Sequence, residues 1–265
     1  MEKALTLSVA GVDFHARLEG EAPRAVFIHG FGGTLHTWDL LWEILGGALP
    51  ALRYDQRGYG RSSGGGDEPY SHTEDLVGIL DTLAVERCDL VGVSMGGGIA
   101  LHTALEHSDR VRSLTLIGPA LMGWEWSAEW RQRWRAIAEL ARAGELDAAR
   151  QQWWNHPLFD SVRDSAASAR VYEEIMAFPG TQWVSDNQRP VLPDIGRLHQ
   201  LTTPTLLLTG GRDEADFRLT ADLLEAGANT VRRIDEPDLG HLLHLEDPSG
   251  CARRLLDFLG ERPAD

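Results

Sequence analysis

Apolar and polar positions recur along the chain with two periods. Two-residue alternation, or a short apolar run bounded by turn residues, marks eight candidate strands at 5–9, 12–18, 25–28, 51–54, 89–93, 111–117, 205–209 and 230–234. From the third strand onward the gaps carry helical spacing, which calls for crossover connections and a mainly parallel sheet. The first two strands are close enough to form an antiparallel hairpin. The best-marked helix starts at Ser71: with Glu74 it forms a capping box, and Leu76, Val77, Leu80 and Leu83 then share a face.

One stretch breaks this rhythm. Residues 121–200 are rich in Arg, Glu and Ala, show several helical patterns and no convincing strand, and contain seven of the nine tryptophans: Trp124, Trp126, Trp130, Trp134, Trp153, Trp154 and Trp183. A loop of that length needs structure of its own, so the pattern predicts a helical cap inserted after strand 6. Residues 1–120 and 201–265 then form the α/β core domain. Trp126, Trp130 and Trp134 are spaced by four and fall on one helical face. Large aromatics are usually buried among themselves, but so many in one segment suggests that Trp126, Trp130, Trp153 and Trp154 line a substrate pocket.

Composition narrows the function. A chain of 265 residues with 43% hydrophobic and 25% charged residues is long enough for one large core. Its formal charge of −15 opposes binding to nucleic acid or to an anionic membrane and leaves a small molecule as the expected partner. Cys88 and Cys251 form no CxxC or Cys/His cluster, so neither a metal site nor a disulfide framework is expected. The N-terminal residues alternate like a strand where a signal peptide would be basic and then apolar, and no apolar run of about 18 residues follows. The expectation is a soluble cytoplasmic protein without a cofactor.

Four short segments carry candidate chemistry. Gly92-Val93-Ser94-Met95-Gly96 has the G-x-S-x-G form between a candidate strand and a helical pattern, where small flanking residues allow a sharp turn with the serine exposed. Such a pentapeptide also arises by chance, so its neighbours decide its meaning. His29-Gly30-Phe31-Gly32-Gly33 ends an earlier strand, and the amides of Phe31 and Met95 are the candidate oxyanion donors. Gly30-x-Gly32 followed by Asp55 also mimics half of a dinucleotide fingerprint, but Leu35 stands where its third glycine belongs. The candidate base is His241, with His244 as competitor. The candidate acid is Asp213, with Asp216 as the alternative, because sequence alone does not locate the strand end within three residues. The order Ser94, Asp213, His241 is one of the chain orders in which Ser-His-Asp hydrolases carry their triad, and in such enzymes activity rises as the base loses its proton, roughly through pH 6 to 7 for an ordinary imidazole. Two other features carry less. The 62–67 run lacks the lysine of a phosphate-binding loop and reads as a surface loop, and His102 and His107 lack the spacing of metal ligands.

Together, His29-Gly30-Phe31, the segment Asp55-Gln56-Arg57-Gly58-Tyr59-Gly60-Arg61-Ser62, the elbow at Ser94 and Gly240-His241 resemble the α/β-hydrolase superfamily over nearly the whole chain. Within it the chain looks most like the bacterial group of 3-oxoadipate enol-lactonases, small carboxylesterases and cofactor-free perhydrolases. The resemblance implies acyl transfer on a small ester, lactone or related substrate. Serine at 94 disfavours the dehalogenases and epoxide hydrolases of this fold, which use Asp. Leu242 after the histidine, and Gly98 in the elbow helix, weaken the C-C hydrolase and lyase alternatives, where Trp and Arg are usual. A non-catalytic small-molecule receptor on the same fold is the third reading. Arg57 is expected to brace its own loop.

Overall fold

The computed structural model describes residues 2–64 and 68–260; Gly65 to Asp67 of the expected surface loop, and Met1, lie outside the described residues. Eight strands form one sheet: β1 (Lys3–Val9), β2 (Val12–Glu19), β3 (Ala25–Ile28), β4 (Ala51–Tyr54), β5 (Cys88–Val93), β6 (Val111–Ile117), β7 (Thr205–Gly210) and β8 (Val231–Glu236). Each lies within two residues of its expected bounds. The spatial order is β1-β2-β4-β3-β5-β6-β7-β8. β1 pairs antiparallel with β2, and β2 with β4; the remaining neighbours are parallel. The helices are α1 (Asp39–Leu45), α2 (His72–Thr82), α3 (Met95–Glu106), α4 (Ala128–Arg142), α5 (Leu146–Trp154), α6 (Asp160–Arg163), α7 (Ser168–Ala177), α8 (Thr181–Val184), α9 (Ala215–Gly227), α10 (Leu243–Glu246) and α11 (Pro248–Gly260).

Alternation along the strands divides the core into two layers. In β3, Val26 and Ile28 face the layer covered by α2, α3 and α9, while Ala25 and Phe27 face the layer covered by α1 and α11. β7 repeats this with Leu207 on the first side and Leu206 and Leu208 on the second. The buried faces explain why these strands read as nearly continuous apolar runs. Both cysteines are free and buried, Cys88 in the first layer and Cys251 in the second. No helix among the described residues is long and apolar enough to cross a membrane.

The chain moves outward from β3 to β4 and then returns to place β5 on the other side of β3. That reversal opens a crevice at the carboxyl ends of β3 and β5, where ligands of open α/β sheets bind. The segment between β6 and β7 lies over the same end. Its helices α4, α5 and α7 bury Ile137, Ala149, Trp153, Val171 and Ile175 in a third apolar cluster shared with Tyr59, Phe217 and Leu245 of the sheet domain. Helical structure covers less of this segment than the sequence pattern suggested. After α8 the chain is extended or turning except for a single 3-10 turn at Leu198–Gln200, and Leu121 and Leu198 belong to the first core layer.

Two buried carboxylates tie the segment to the core. Asp216 accepts hydrogen bonds from Trp124 Nε1 (2.9 Å) and Ser127 N (3.1 Å) just before α4. Asp194 pairs with His102 Nδ1 (2.7 Å) and with Arg197 (2.9 Å) near the far end, and its N-H donates to the Met122 carbonyl (2.8 Å). His102 is therefore a buried structural residue.

Candidate active site

Ser94 joins β5 to α3 with φ 54° and ψ −119°, a backbone conformation that costs a non-glycine residue roughly 1–3 kcal/mol. Its surroundings enforce the turn. Ser94 N donates to the Ile117 carbonyl (2.9 Å), and its own carbonyl accepts from Gly98 N (3.0 Å) and Ala120 N (3.0 Å). A Cβ at Gly92 would overlap the Gly96 carbonyl, and one at Gly96 would overlap the carbonyls of Ile28 and His29. The two glycines of the pentapeptide are thus required by the close approach of β5, α3 and β3.

The turn after β3 brings Phe31 to the same place. A Cβ at Gly30 would stand only 3.3 Å from Ser94 Cβ, which measures how near this backbone passes. His29 is fully buried, and burial lowers its pKa. Its Nε2 accepts from Gln56 N (3.0 Å) while Nδ1 lies 2.8 Å from the Gly30 carbonyl, an arrangement satisfied by the neutral ring carrying its proton on Nδ1. Asp55 accepts from Leu35 N (2.8 Å) and Arg61 N (2.9 Å), so this carboxylate fixes two turns and is not placed to bind a ribose. Glu174 of α7 accepts from Thr34 N (2.7 Å) and clamps the turn from above. Arg57 lies in contact with Asp75 (Nε to Oδ2, 2.8 Å) and away from the crevice. Met95 is the first residue of α3, so its N-H has no acceptor within the helix.

Asp213 follows β7 and His241 follows β8. His241 Nδ1 lies 3.0 and 2.9 Å from the two Asp213 oxygens, with both side chains almost completely buried. His241 Nε2 is buried without a hydrogen-bond partner, and His241 lines the same cavity as Ser94. Asp216, three residues on, instead holds Trp124 and Ser127. His244 hydrogen-bonds Thr37 Oγ1 (2.9 Å) beneath Trp38, and burial pushes its pKa down to about 3. Two features had no signal in the sequence. Gly118, at φ +47°, lies directly behind the pair: a Cβ there would be 3.0 Å from His241 Nδ1 and 3.1 Å from Asp213 Oδ2. Glu246 accepts from Gly240 N (2.9 Å) and also bonds Ser161, which fixes the loop that carries the histidine.

A cavity of about 660 Å³ opens above Ser94. Its floor is Gly30, Phe31, Ser94, Met95 and His241, and its walls include Trp126, Trp130, Trp134, Trp153, Phe159 and Phe217. Trp126 precedes α4, yet its ring stacks on Trp130 at 4.5 Å, and Phe217 lies 4.3 Å from the His241 ring. Trp154 is elsewhere, which corrects the expectation for it. Consecutive helical side chains diverge by about 100°, so with Trp153 facing the cavity Trp154 turns away and packs on Tyr172 and Arg163. Trp134, Phe159 and Phe217 take part in the lining instead. The spacing of Trp134 was legible, whereas Phe159 and Phe217 carried no distinguishing signal.

The alpha/beta hydrolase fold family model matches residues 23–248. Among relatives, 2-hydroxymuconate semialdehyde hydrolase of Pseudomonas sp. is 26% identical, covering 96% of this chain and 93% of its own. 3-oxoadipate enol-lactonase 1 of Acinetobacter baylyi is 25% identical over 86% of this chain and 85% of its own. A solved hydrolase structure from Pseudomonas aeruginosa superposes with a TM-score of 0.80 at 26% identity, covering 97% of this chain and 98% of the other. The sheet order, the elbow and these matches agree: the chain belongs to the alpha/beta hydrolase fold family.

Proposed function

We propose that the chain is a hydrolase of small esters, lactones or related acyl substrates, acting through an acyl-enzyme on Ser94, with residues 121–200 as the cap that sets substrate choice. The carrying observation is the strained Ser94 facing one cavity with His241, whose Nδ1 is held by Asp213 while Nε2 has no partner. Neutral His241 takes the Oγ proton on Nε2 as Oγ bonds to the carbonyl carbon. Negative charge forming on the carbonyl oxygen is met by the N-H groups of Phe31 and Met95. Asp213 keeps the Nδ1-H tautomer and stabilises the imidazolium. Collapse of the tetrahedral intermediate breaks the bond to the leaving oxygen, which receives the proton from Nε2. Water, deprotonated by His241, then attacks the acyl carbon, and the reverse collapse frees Ser94.

All of this chemistry comes from side chains, backbone amides and water. A cytoplasmic setting suits the two free, buried thiols. Short-chain aryl esters and a serine-directed phosphonate, tested beside Ser94→Ala, decide the matter: serine-dependent hydrolysis and labelling of Ser94 are expected. Their joint absence would sink the reading and leave a non-catalytic receptor in its place. The likeness to a semialdehyde hydrolase favours assaying C-C bond cleavage in the same experiment.

A further inference from the structure

We propose that Arg131 and Arg135 form a carboxylate-binding rim on the Ser94 cavity, so that the preferred substrate carries a free carboxylate remote from its scissile carbonyl. This deepens the hydrolase reading and rests on it. Both arginines line the cavity, and among the described residues no Asp or Glu does. They sit at i and i+4 on α4, one position after Trp130 and Trp134, which are likewise a turn apart. One helix thus presents an aromatic stripe beside a cationic stripe, a surface matched to an apolar body with an anionic end.

The protein supplies abundant carboxylates, with 40 acidic against 25 basic residues, yet these guanidinium groups are poorly neutralised. Arg135 forms no ion pair among the described residues; its Nε donates only to the Arg131 carbonyl (3.3 Å). Arg131 meets Glu125 at 3.2 Å, but the Glu125 side chain is 89% exposed and Arg131 is 51% exposed, so water screens that contact and a ligand carboxylate can replace it. Arg133, between them on another face, is engaged by Glu214 (3.0 Å) and is not part of the rim. A planar guanidinium at the cavity mouth can hold a carboxylate through two parallel N-H···O bonds, and a pair of them discriminates an acid from its neutral ester.

The test compares mono(4-nitrophenyl) glutarate with its methyl-capped counterpart in the wild type, Arg131→Gln/Arg135→Gln and Arg131→Lys/Arg135→Lys. The expected result is preference for the anionic ester in kcat/KM, a ratio that falls about tenfold in the Gln pair, mainly through KM, and recovers in part in the Lys pair. Raising salt should shrink the preference in the wild type. Binding gives a readout independent of turnover. In Ser94→Ala, 4-phenylbutyrate should perturb tryptophan fluorescence at lower concentration than its methyl ester, and the Gln pair should abolish that difference. Equal treatment of acid and ester by the wild type, or a preference unchanged in the Gln pair, overturns the rim. Absent hydrolysis with an intact binding preference would defeat the hydrolase reading and leave the rim standing.

Discussion

Gly118→Ala tests whether the His241-Asp213 pair is held by steric fit. At φ +47° an alanine costs roughly 1–2 kcal/mol from backbone conformation alone. The added methyl would stand 3.0 Å from His241 Nδ1 and 3.1 Å from Asp213 Oδ2, so ring and carboxylate must retreat by a few tenths of an ångström. A displacement of about 1 Å at a reacting group costs on the order of a hundredfold, so a shift of a few tenths corresponds to about a fourfold to tenfold loss of kcat. Gly144→Ala is the matched control: its φ is +83° and nothing lies within 4 Å of the new carbon. Both variants should melt a few degrees lower, at about 2–4 °C per kcal/mol for a chain of this size. Only Gly118→Ala should lose hydrolysis of a short aryl ester. Calorimetry and steady-state kinetics on the two proteins measure both effects, and equal activity in the two variants at equal Tm loss would refute the steric argument.

Asp213→Asn should lower kcat by about 10⁴ by favouring the wrong imidazole tautomer, with KM little changed. Asp216→Asn should mainly lower thermal stability, because it weakens the bonds from Trp124 and Ser127; a larger kinetic defect at 216 than at 213 would reverse the assignment. Trp130→Ala enlarges the cavity and should shift preference toward bulkier acyl groups, whereas Trp154→Ala should cost about 3–5 kcal/mol of stability with the acyl-chain profile unchanged. An altered profile in the second variant would place Trp154 at the substrate after all. Finally, burial holds His72 and His244 near pKa 3 against an unfolded value near 6.5. Protons then bind the unfolded chain first, so the stability these neutral rings contribute is full above pH 6.5 and is lost as pH falls toward 3, at up to about 1.4 kcal/mol per pH unit each. Urea midpoints at pH 7, 6 and 5 should fall accordingly, and a slope unaltered in a folded His244→Asn variant would assign the effect to other groups.

Much of the fold was legible because its signals are local. β3 and β7 are buried on both faces and read as apolar runs, and the pentapeptide places Ser94 at a strand-to-helix junction wherever the sheet puts it. The pairing of Asp213 in preference to Asp216 was not legible, since it depends on where β7 stops and how the next turn aims its carboxylate. Trp153 and Trp154 show the same limit: adjacent identical residues have opposite fates because helix rotation decides which faces the cavity. Gly118 is legible only in three dimensions, as its neighbours come from 95 and 123 residues away.

The ties at Asp216 and Asp194 bear on how a protein of this kind can change its substrate. Both anchors lie at the margins of the helical segment, one just before α4 and the other past α8, while the cavity walls are drawn largely from the helices between them. A replacement segment that keeps Trp124, Ser127 and Asp194 would retain both marginal carboxylate contacts, whatever side chains it brings over Ser94. The ties from Glu174 to Thr34, from Ser161 to Glu246 and from Arg133 to Glu214 start inside the segment, so a replacement would have to supply these for itself, while the two marginal carboxylates offer it a ready-made frame.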